Sequence, residues 1–303
     1  MKENHQNAPI VIFAYNRPAH FWKTLSELSR CIMANQSSVY VYLDGPKEAT
    51  DKQLQEQILS SCYQLRPKFE KLTIIQREKN LGLSKNIING VSEILTKYKR
   101  IIVLEDDILV SKSFITFMNI ALNHYREQKN IWHISSYNHL KPQLSDPKPF
   151  FTQTMNCWGW ATWEDRWTHF SKEVKMPSKY FQNYLQYIKF NYIYSSDLHS
   201  QLLLNYNKKI DTWSIYWYIT IFLNKGLCLS PNLSLSMNIG LDGSGQNCEH
   251  VDIGTEPARA YEVKFTPADN YQPLSDFARN ILYNLGKKLY YLKRRFKKFI
   301  FFT

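Results

Sequence analysis

The sequence lacks several patterns that would assign a chain of 303 residues to a common class. Its five cysteines are odd in number and scattered, and no Cys-x-x-Cys pair occurs, so neither a disulfide framework nor a structural zinc site is predicted. There is also no Gly-x-Gly-x-x-Gly and no Gly-x-x-x-x-Gly-Lys-Ser/Thr motif, which argues against a dinucleotide-dependent dehydrogenase and a P-loop nucleotide hydrolase. Any phosphate group must therefore be held by other means.

Long apolar runs are missing as well. The longest, Trp213 to Leu223, spans 11 residues, whereas a membrane-spanning helix needs about 20. Residues Met1 to Ala8 are polar and lack the apolar centre of a signal peptide. We therefore expect a protein of a reducing compartment that is neither secreted through a signal peptide nor membrane-spanning.

The positive charge is concentrated in the last part of the chain. The formal net charge is +12, but seven basic residues and no acid fall within the last 17 residues, leaving 31 basic and 26 acidic residues elsewhere. This basic tail, residues 276–303, is predicted to form an amphipathic helix suited to an anionic membrane surface; a helix packed on the domain is the alternative, and no nucleic acid partner is expected. The apolar residues that repeat at spacings of three and four are Phe277, Ile281, Leu285, Leu289, Leu292, Phe296 and Phe299.

Strand and helix patterns alternate up to Tyr137. This order predicts an α/β fold with a mostly parallel, doubly wound sheet and right-handed crossovers. Beyond it, the segment from Phe150 to Asn224 is rich in Trp and Tyr and weakly periodic. The predicted strands are Pro9–Ala14, Ser38–Leu43, Leu72–Gln76, Arg100–Leu104 and Ile131–Ser135, and the predicted helices are Pro18–Met33, Asp51–Tyr63, Ser84–Lys97 and Ser113–Gln128.

Four apolar residues, Ile101 to Leu104, lead directly into three carboxylates, Glu105, Asp106 and Asp107. The pattern is typical of a buried strand that ends in negative charge at the sheet edge where open α/β sheets bind ligands. An isolated acidic tripeptide would fit a solvated turn or a helix N-cap. At the end of a buried strand we favour a cation site, because Mg²⁺ or Mn²⁺ held by one or two carboxylates can bridge to a diphosphate.

Polar residues follow the other predicted strands too. After the first strand, Arg17 offers a guanidinium for a diphosphate or a base carbonyl, or else lies in a solvated turn. After the second, Asp44 is able to accept the imide N–H of uracil, or else forms an Asp-Gly turn. After the third, Gly82 permits close backbone approach and Ser84 can cap the next helix. These features are expected to meet at one sheet edge.

At these motifs the chain resembles the GT-A nucleotide-sugar glycosyltransferases. Within that fold it is most similar to bacterial relatives of the N-acetylglucosaminyltransferase that initiates complex N-glycans. The resemblance covers about residues 9–250, and implies a single domain over residues 1–275, with a nucleotide-sugar-binding half at 1–137 and an acceptor-binding half at 138–275. Its motifs are Phe13–Pro18, Asp44, Asn80–Leu83, Val103–Asp107, Cys157–Trp163, Asp211–Trp213 and Asn238–Gly243.

The resemblance also implies roles for single residues on the donor side. Asp107 would bind the metal, Asp106 would contact the sugar or ribose, and His250 would complete the metal shell unless it is only a loop histidine. Glu105 is expected beside them, in support or facing solvent. The further residues predicted to bind the nucleotide-sugar are Asn16, Arg17, Asp44, Asn80, Gly82 and Lys85.

On the acceptor side, Asp211 is the nearest match to the general base of the family, although Thr212 separates it from the neighbouring tryptophan. Glu164 and Asp165 remain candidates for the same role. Trp158, Trp160 and Trp213 offer ring faces to an acceptor sugar, or else belong to the core.

We therefore predict an inverting glycosyltransferase, hexosyl or N-acetylhexosaminyl, that uses a UDP-sugar with Mn²⁺ or Mg²⁺. The predicted acceptor is a bacterial surface glycan or a lipid-linked sugar at the inner face of the cytoplasmic membrane. Two other classes stay open. A glycoside hydrolase would use Asp107 and Asp211 as its carboxylate pair, and a non-catalytic carbohydrate- or nucleic-acid-binding protein would use only the aromatic residues and the basic tail.

Overall fold

A computed structural model describes residues 7–138, 148–184, 186–187, 190 and 198–243. The first half contains β1 (Ile10–Ala14), α1 (Pro18–Ser29), β2 (Ser38–Leu43), α2 (Ala49–Leu65), β3 (Lys71–Gln76), α3 (Leu83–Tyr98), β4 (Arg100–Glu105), β5 (Ile108–Val110), α4 (Phe114–His124) and β6 (Ile131–Ser135). The second half contains β7 (Phe150–Thr152), β8 (Trp160–Trp163), α5 (Glu164–Trp167), α6 (Leu198–Tyr206), α7 (Ser214–Leu223), β9 (Leu227–Ser230) and β10 (Ser236–Asn238). Short 3₁₀ turns lie at Ala34–Gln36, Arg66–Lys68 and Pro177–Tyr180.

The predicted alternation of strands and helices is confirmed, but two helices end earlier than predicted. Helix α1 ends at Ser29 because the backbone N–H of Ile32 donates to the carbonyl of Lys112 at 2.9 Å and leaves the helical path. Helix α4 ends at His124, where the buried guanidinium of Arg166 binds the carbonyl oxygens of the following turn. A basic side chain that satisfies these carbonyls is a common way to end a helix.

Eight strands form one sheet in the order β3-β2-β1-β4-β8-β6-β9-β7. Strands β1 to β4 are mutually parallel where they pair, and β8 runs antiparallel to both β4 and β6. With β9 parallel to β6 and β7 antiparallel to β9, six of the eight strands share one direction. The predicted α/β class with a mostly parallel sheet is therefore confirmed. The chain order reverses between β1 and β4, with β2 and β3 lying on the other side of β1.

Helices cover both faces of this sheet, so its central strands β1 and β4 are buried on both sides. Alternate residues of β1 face opposite layers: Ile10 and Ile12 pack with α1, α2 and α4, whereas Val11 and Phe13 pack with α3 and α7. Such double burial explains why the strands are continuous apolar runs. Gly90 lets α3 approach closely, because an added Cβ there would lie 2.7 Å from the Phe13 ring.

Aromatic side chains fill the core beside α7. The Trp160 ring is fully buried and stacks on Trp213 and His133, with centroids 5.1 and 5.5 Å apart. The Trp217 indole N–H donates to His133 Nδ1 at 3.2 Å, and His133 Nε2 lies 3.1 Å from the Asn156 carbonyl. Burial lowers the pKa of His133 to about 3, so this histidine is neutral in the folded protein near pH 7.

No helix in the described part of the chain has both the length and the apolar character needed to cross a membrane. The basic tail, residues 276–303, lies outside the described residues, as do His250 and the region that follows it. The membrane contact predicted for the tail stays a prediction.

Candidate functional site

The candidate site lies at the carboxyl edge of the sheet, where the chain order reverses. Strands β1 and β4 pair in parallel with Phe13 opposite Glu105. The residues that follow these strands, Arg17 after β1 and Asp106 and Asp107 after β4, therefore emerge side by side. In open α/β sheets a crevice at such a reversal is the usual ligand site.

Arg17 bridges the two aspartates at this point. Its Nη2 lies 2.8 Å from Asp107 Oδ2 and bonds Asp106 Oδ1, while its Nε lies 3.4 Å from Asp106 Oδ2. The side chains of Asp106 and Asp107 are only 6% and 8% exposed. The structure thus brings together three of the residues that the sequence predicted for the donor side.

The negative charge in this cluster exceeds the positive charge. Glu105 adds a third carboxylate to the two that share Arg17. Burial and the two neighbouring aspartates raise the pKa of Glu105 to about 8. Burial likewise raises the pKa of Asp106 to about 6, against the opposing effect of Arg17. The site accordingly favours proton uptake or another cation.

Hydrogen bonds to their backbone carbonyls hold the two aspartates in place. The Thr24 hydroxyl donates to the Asp106 carbonyl at 2.9 Å, and the Ile239 N–H donates to the Asp107 carbonyl at 2.9 Å. Strand β10 pairs antiparallel with β5 just beyond the triplet, which brings Gly240 against the site. An added Cβ at Gly240 would lie 2.1 Å from Asp107 Oδ2. Only glycine fits there, in the late motif noted in the sequence.

The carboxylate of Asp44 holds two loops together. It accepts hydrogen bonds from the backbone N–H groups of Gly45, Leu81 and Gly82 at 2.9, 2.8 and 2.9 Å. Asn80 adds a bond of 2.7 Å from its amide to the Gly45 carbonyl. Gly82 adopts φ 77°, a left-handed conformation that glycine permits. This loop-holding role was missed from the sequence; uracil recognition by Asp44 stays a prediction.

Asp51 is a further residue that sequence reasoning missed. Its carboxylate accepts from the Tyr15 hydroxyl at 2.5 Å, from the Asn16 amide at 2.8 Å and from two backbone N–H groups just before α2. The bond from Tyr15, followed by the one from Asn16, lowers the pKa of Asp51 to about 2. The Glu48-x-x-Asp51 capping box was the available signal. Lys85 is exposed on the first turn of α3.

A lysine that the sequence did not single out, Lys172, links Asp211 to the first turn of α3. Lys172 forms an ion pair with Asp211 and donates to the Ser84 hydroxyl at 2.7 Å. The Lys172 side chain is 18% exposed, and that of Asp211 is 64% exposed. Because Ser84 lies two residues after Gly82, in the first turn of α3, Asp211 belongs to the same edge of the sheet as the loops that Asp44 joins.

The structure does not bring Glu164 and Asp165 to this edge. Strand β8 runs antiparallel to β4, so Trp163 pairs with Arg100 at the start of β4, about 17 Å from its end at ~3.3 Å per residue. There Glu164 lies 2.7 Å from Lys99, and Asp165 lies 2.9 Å from Lys129. These two acids form surface ion pairs at the opposite end of the sheet.

The three tryptophans predicted to face an acceptor sugar differ in how far they are buried. Trp160 is fully buried and Trp213 is 3% exposed, so both belong to the core. Trp158 is only partly buried and contacts Tyr137 edge to face, with ring centroids 4.5 Å apart. Its carbonyl accepts from Ser236 of β10 at 2.5 Å. Trp158 is therefore the tryptophan of the three that lies near the strand covering Asp107.

A complete set of metal ligands is not present in the described part of the chain. Within it, no three side chains of His, Cys, Asp or Glu converge as a cation site would require. His250, predicted as a metal ligand, lies outside the described residues. Any cation at Asp106 and Asp107 would take its other ligands from a bound substrate, from water or from residues beyond those described.

No family model matches the sequence, and no curated protein sequence matches it. Among solved structures, the mannosyltransferase PcManGT from Pyrobaculum calidifontis, in complex with GDP-Man and Mn²⁺, is similar with a TM-score of 0.43 and 10% identity over 73% of this chain and 70% of its own. An active-site mutant of LgtC is similar with a TM-score of 0.40 and 11% identity over 70% of each chain. TarS of S. aureus is similar with a TM-score of 0.30 and 16% identity over 42% of this chain and 21% of its own. At these scores the likeness assigns neither a family nor an activity to this chain.

Proposed function

We propose that this protein is a GT-A glycosyltransferase that moves a sugar from a nucleotide diphosphate donor, preferably a UDP-sugar, to an acceptor hydroxyl. The observation that carries the proposal is the buried cluster of Arg17, Asp106 and Asp107 at the reversal of chain order between β1 and β4. A cluster of buried, unbalanced charge is unfavourable for stability alone and is typical of functional sites.

The chemistry of these residues fits a divalent cation together with a diphosphate. Arg17 supplies one positive charge to the two carboxylates that it bonds, and the carboxyl group of Glu105 adjoins them, so a cation would remove an excess of negative charge. Mg²⁺ and Mn²⁺ are commonly bound through one or two carboxylates, with phosphate oxygens and water as the other ligands. Asp107 would hold the ion here, beside Asp106, and the ion would stabilise charge on the departing diphosphate.

We infer the general base to be Asp211. It is a largely exposed carboxylate at the same sheet edge, and Lys172 holds one of its oxygens. A carboxylate that removes the proton of the acceptor hydroxyl promotes direct attack on the sugar, and a single displacement of this kind inverts the configuration.

The acceptor is proposed to be a bacterial surface glycan or a lipid-linked sugar, bound in part on the partly buried ring of Trp158. The basic tail would bring the protein to the inner face of the cytoplasmic membrane. Deletion of residues 287–303 should release the protein from anionic vesicles in a sedimentation assay. Unchanged vesicle binding would contradict this location.

A thermal-shift panel of nucleotide diphosphates tests the activity class. We expect UDP with Mn²⁺ to raise the unfolding midpoint of the wild type, and UDP without a divalent cation to raise it much less. Asp107→Ala should abolish the Mn²⁺-dependent part, because it removes the proposed metal ligand. Asp165→Ala is the matched control at the other end of the sheet and should respond like the wild type. Equal stabilisation of Asp107→Ala by UDP and Mn²⁺ would refute the metal role.

A further inference from the structure

The guanidinium of Arg17 bonds carboxylate oxygens of both aspartates, which a cation would also use. It bonds a carboxylate oxygen of Asp106 and lies 2.8 Å from Asp107 Oδ2. The other approach to Asp107 is narrow, because an added Cβ at Gly240 would lie 2.1 Å from the same oxygen. A cation that binds Asp107 Oδ2 must therefore displace Arg17 from it.

The charges explain why Arg17 pairs with these two aspartates. The side chains of Asp106 and Asp107 are almost buried, and a buried charge without a partner is strongly unfavourable. Arg17 itself is 21% exposed and sits at the beginning of α1, directly before Pro18. Its side chain thus has solvent on one side, toward which it can turn without disturbing the helix.

We propose that Arg17 is a resident counter-ion for Asp106 and Asp107, and that a divalent cation binds fully only when an anionic ligand draws Arg17 away. The diphosphate of the donor is such a ligand, since guanidinium binds phosphate oxygens in a forked geometry. Cation and diphosphate then strengthen the binding of each other by the same factor. The identity of the anion rests on the proposed function, whereas the competition between Arg17 and the cation does not.

The competition is tested with Mn²⁺ alone. Calorimetric titration and thermal unfolding are compared for the wild type, Arg17→Met and Arg77→Met. Arg77 is the matched control, since it is 19% exposed and pairs with Glu93 at 2.9 Å. We expect Arg17→Met to unfold at a lower temperature than the wild type, to bind Mn²⁺ at least roughly tenfold more tightly because a nearby positive charge is removed, and to gain the larger midpoint increase from Mn²⁺. Arg77→Met should bind Mn²⁺ like the wild type.

Two further variants keep the test decisive. Arg17→Lys retains a positive charge without the fork, so its Mn²⁺ affinity should fall between those of the wild type and Arg17→Met; it also covers the case in which Arg17→Met does not fold. Asp107→Asn added to either variant should remove the gain. The proposal is overturned if neither Arg17 variant binds Mn²⁺ more tightly than the wild type, or if the gain survives Asp107→Asn.

A second titration, with UDP at saturating concentration, separates this proposal from the proposed function. UDP should raise the Mn²⁺ affinity of the wild type by roughly tenfold and that of Arg17→Met by less, because Arg17 no longer has to be drawn away. If no nucleotide binds but Arg17→Met still gains Mn²⁺ affinity, the glycosyltransferase proposal fails and the counter-ion role stands. If UDP and Mn²⁺ bind together but Arg17→Met gains no Mn²⁺ affinity, the counter-ion role fails and the glycosyltransferase proposal stands.

Discussion

Two groups of acidic residues lie at opposite ends of the same sheet and differ in burial and charge balance. At the amino end of β4, Glu164 and Asp165 are 33% and 48% exposed, and each has a basic partner of its own. At the carboxyl end, Asp106 and Asp107 are almost buried and share the single guanidinium of Arg17.

This difference separates a surface ion pair from a candidate site. Exposed pairs contribute about 0–1 kcal/mol and need no other explanation. Buried carboxylates in excess of their cations lower stability. Proteins tolerate such unpaired buried charge chiefly where function requires it. Burial and charge balance together, rather than the presence of acids, therefore favour the carboxyl edge as the candidate site.

The largest effect on stability and ligand binding is expected from an added methyl group at the carboxyl end of the sheet. Gly240→Ala would place a methyl group 2.1 Å from Asp107 Oδ2, so β10 or the aspartate must shift. We expect a loss of about 1–3 kcal/mol in the free energy of unfolding, as for other overpacked sites, and at least a tenfold loss of Mn²⁺-dependent UDP binding. Urea unfolding and calorimetry measure the two quantities.

Gly243→Ala is the control for Gly240→Ala. Gly243 has φ +86°, and an added Cβ there meets nothing within 4 Å among the described residues. Backbone strain of about 1 kcal/mol is therefore expected without a change in ligand binding. Equal losses of UDP binding in both variants would mean that the approach of Gly240 to Asp107 is unimportant.

A smaller effect is expected from alkaline pH. The pKa of Glu105 is raised to about 8 in the folded protein, against ~4.3 when unfolded. The folded state thus binds more protons between these values, and its stability falls as pH rises through 8. We expect a loss of about 1 kcal/mol between pH 7 and 9 without divalent cation, measured by urea unfolding, which Glu105→Gln should abolish.

Asp165→Asn serves as the control for this pH dependence. Despite partial burial, the bonds from Arg166 and Lys129 lower the pKa of Asp165. Its contribution is therefore present above its unfolded pKa and is lost as pH falls through the lower, folded value. Asp165→Asn should keep the alkaline loss of the wild type. A flat profile in the wild type between pH 7 and 9 would contradict the assignment to Glu105.

The smallest effect on stability is expected from substitution of the lysines that pair with the exposed acids. Lys172→Met removes the partner of Asp211 at the carboxyl end, and Lys129→Met removes a partner of Asp165 at the other end. Both should change the free energy of unfolding by less than about 1 kcal/mol. Only Lys172→Met should slow UDP release from a UDP-sugar with water as acceptor, by about tenfold, because it loosens the proposed base.

Lys172→Arg should restore most of this rate, since it keeps the ion pair. A slow reaction in Lys129→Met as well, or a normal rate in Lys172→Met, would contradict the role proposed for the carboxyl end.

Local patterns in the sequence predicted the first half of the fold because each signal lies within one element. The apolar run from Ile101 to Leu104 and the turn residues after Leu43 mark strand ends directly. The juxtaposition of Arg17 with Asp106 then follows from parallel pairing. No pattern of this kind joins Lys172 to Ser84, which are 88 residues apart and meet only through packing of the second half.

The direction of β8 was the decisive feature that the sequence did not predict. Its four residues, Trp160–Trp163, form too short a run to indicate a strand, and the run carries no signal for the direction of pairing. Without that strand, Glu164 and Asp165 could not be assigned to an end of the sheet. Burial of Trp160 in an aromatic cluster likewise depends on long-range packing.

The position of β8 also has a consequence for how the chain acquires its structure. Within the described residues, β6 pairs only with β8 and β9, both of which come later in the chain. A fragment cut after residue 137 would therefore carry an orphan strand β6 and an open edge on β4, which favours aggregation. We expect the two parts of the sheet to fold cooperatively, with β6 joining the sheet only after β8 has left the ribosome.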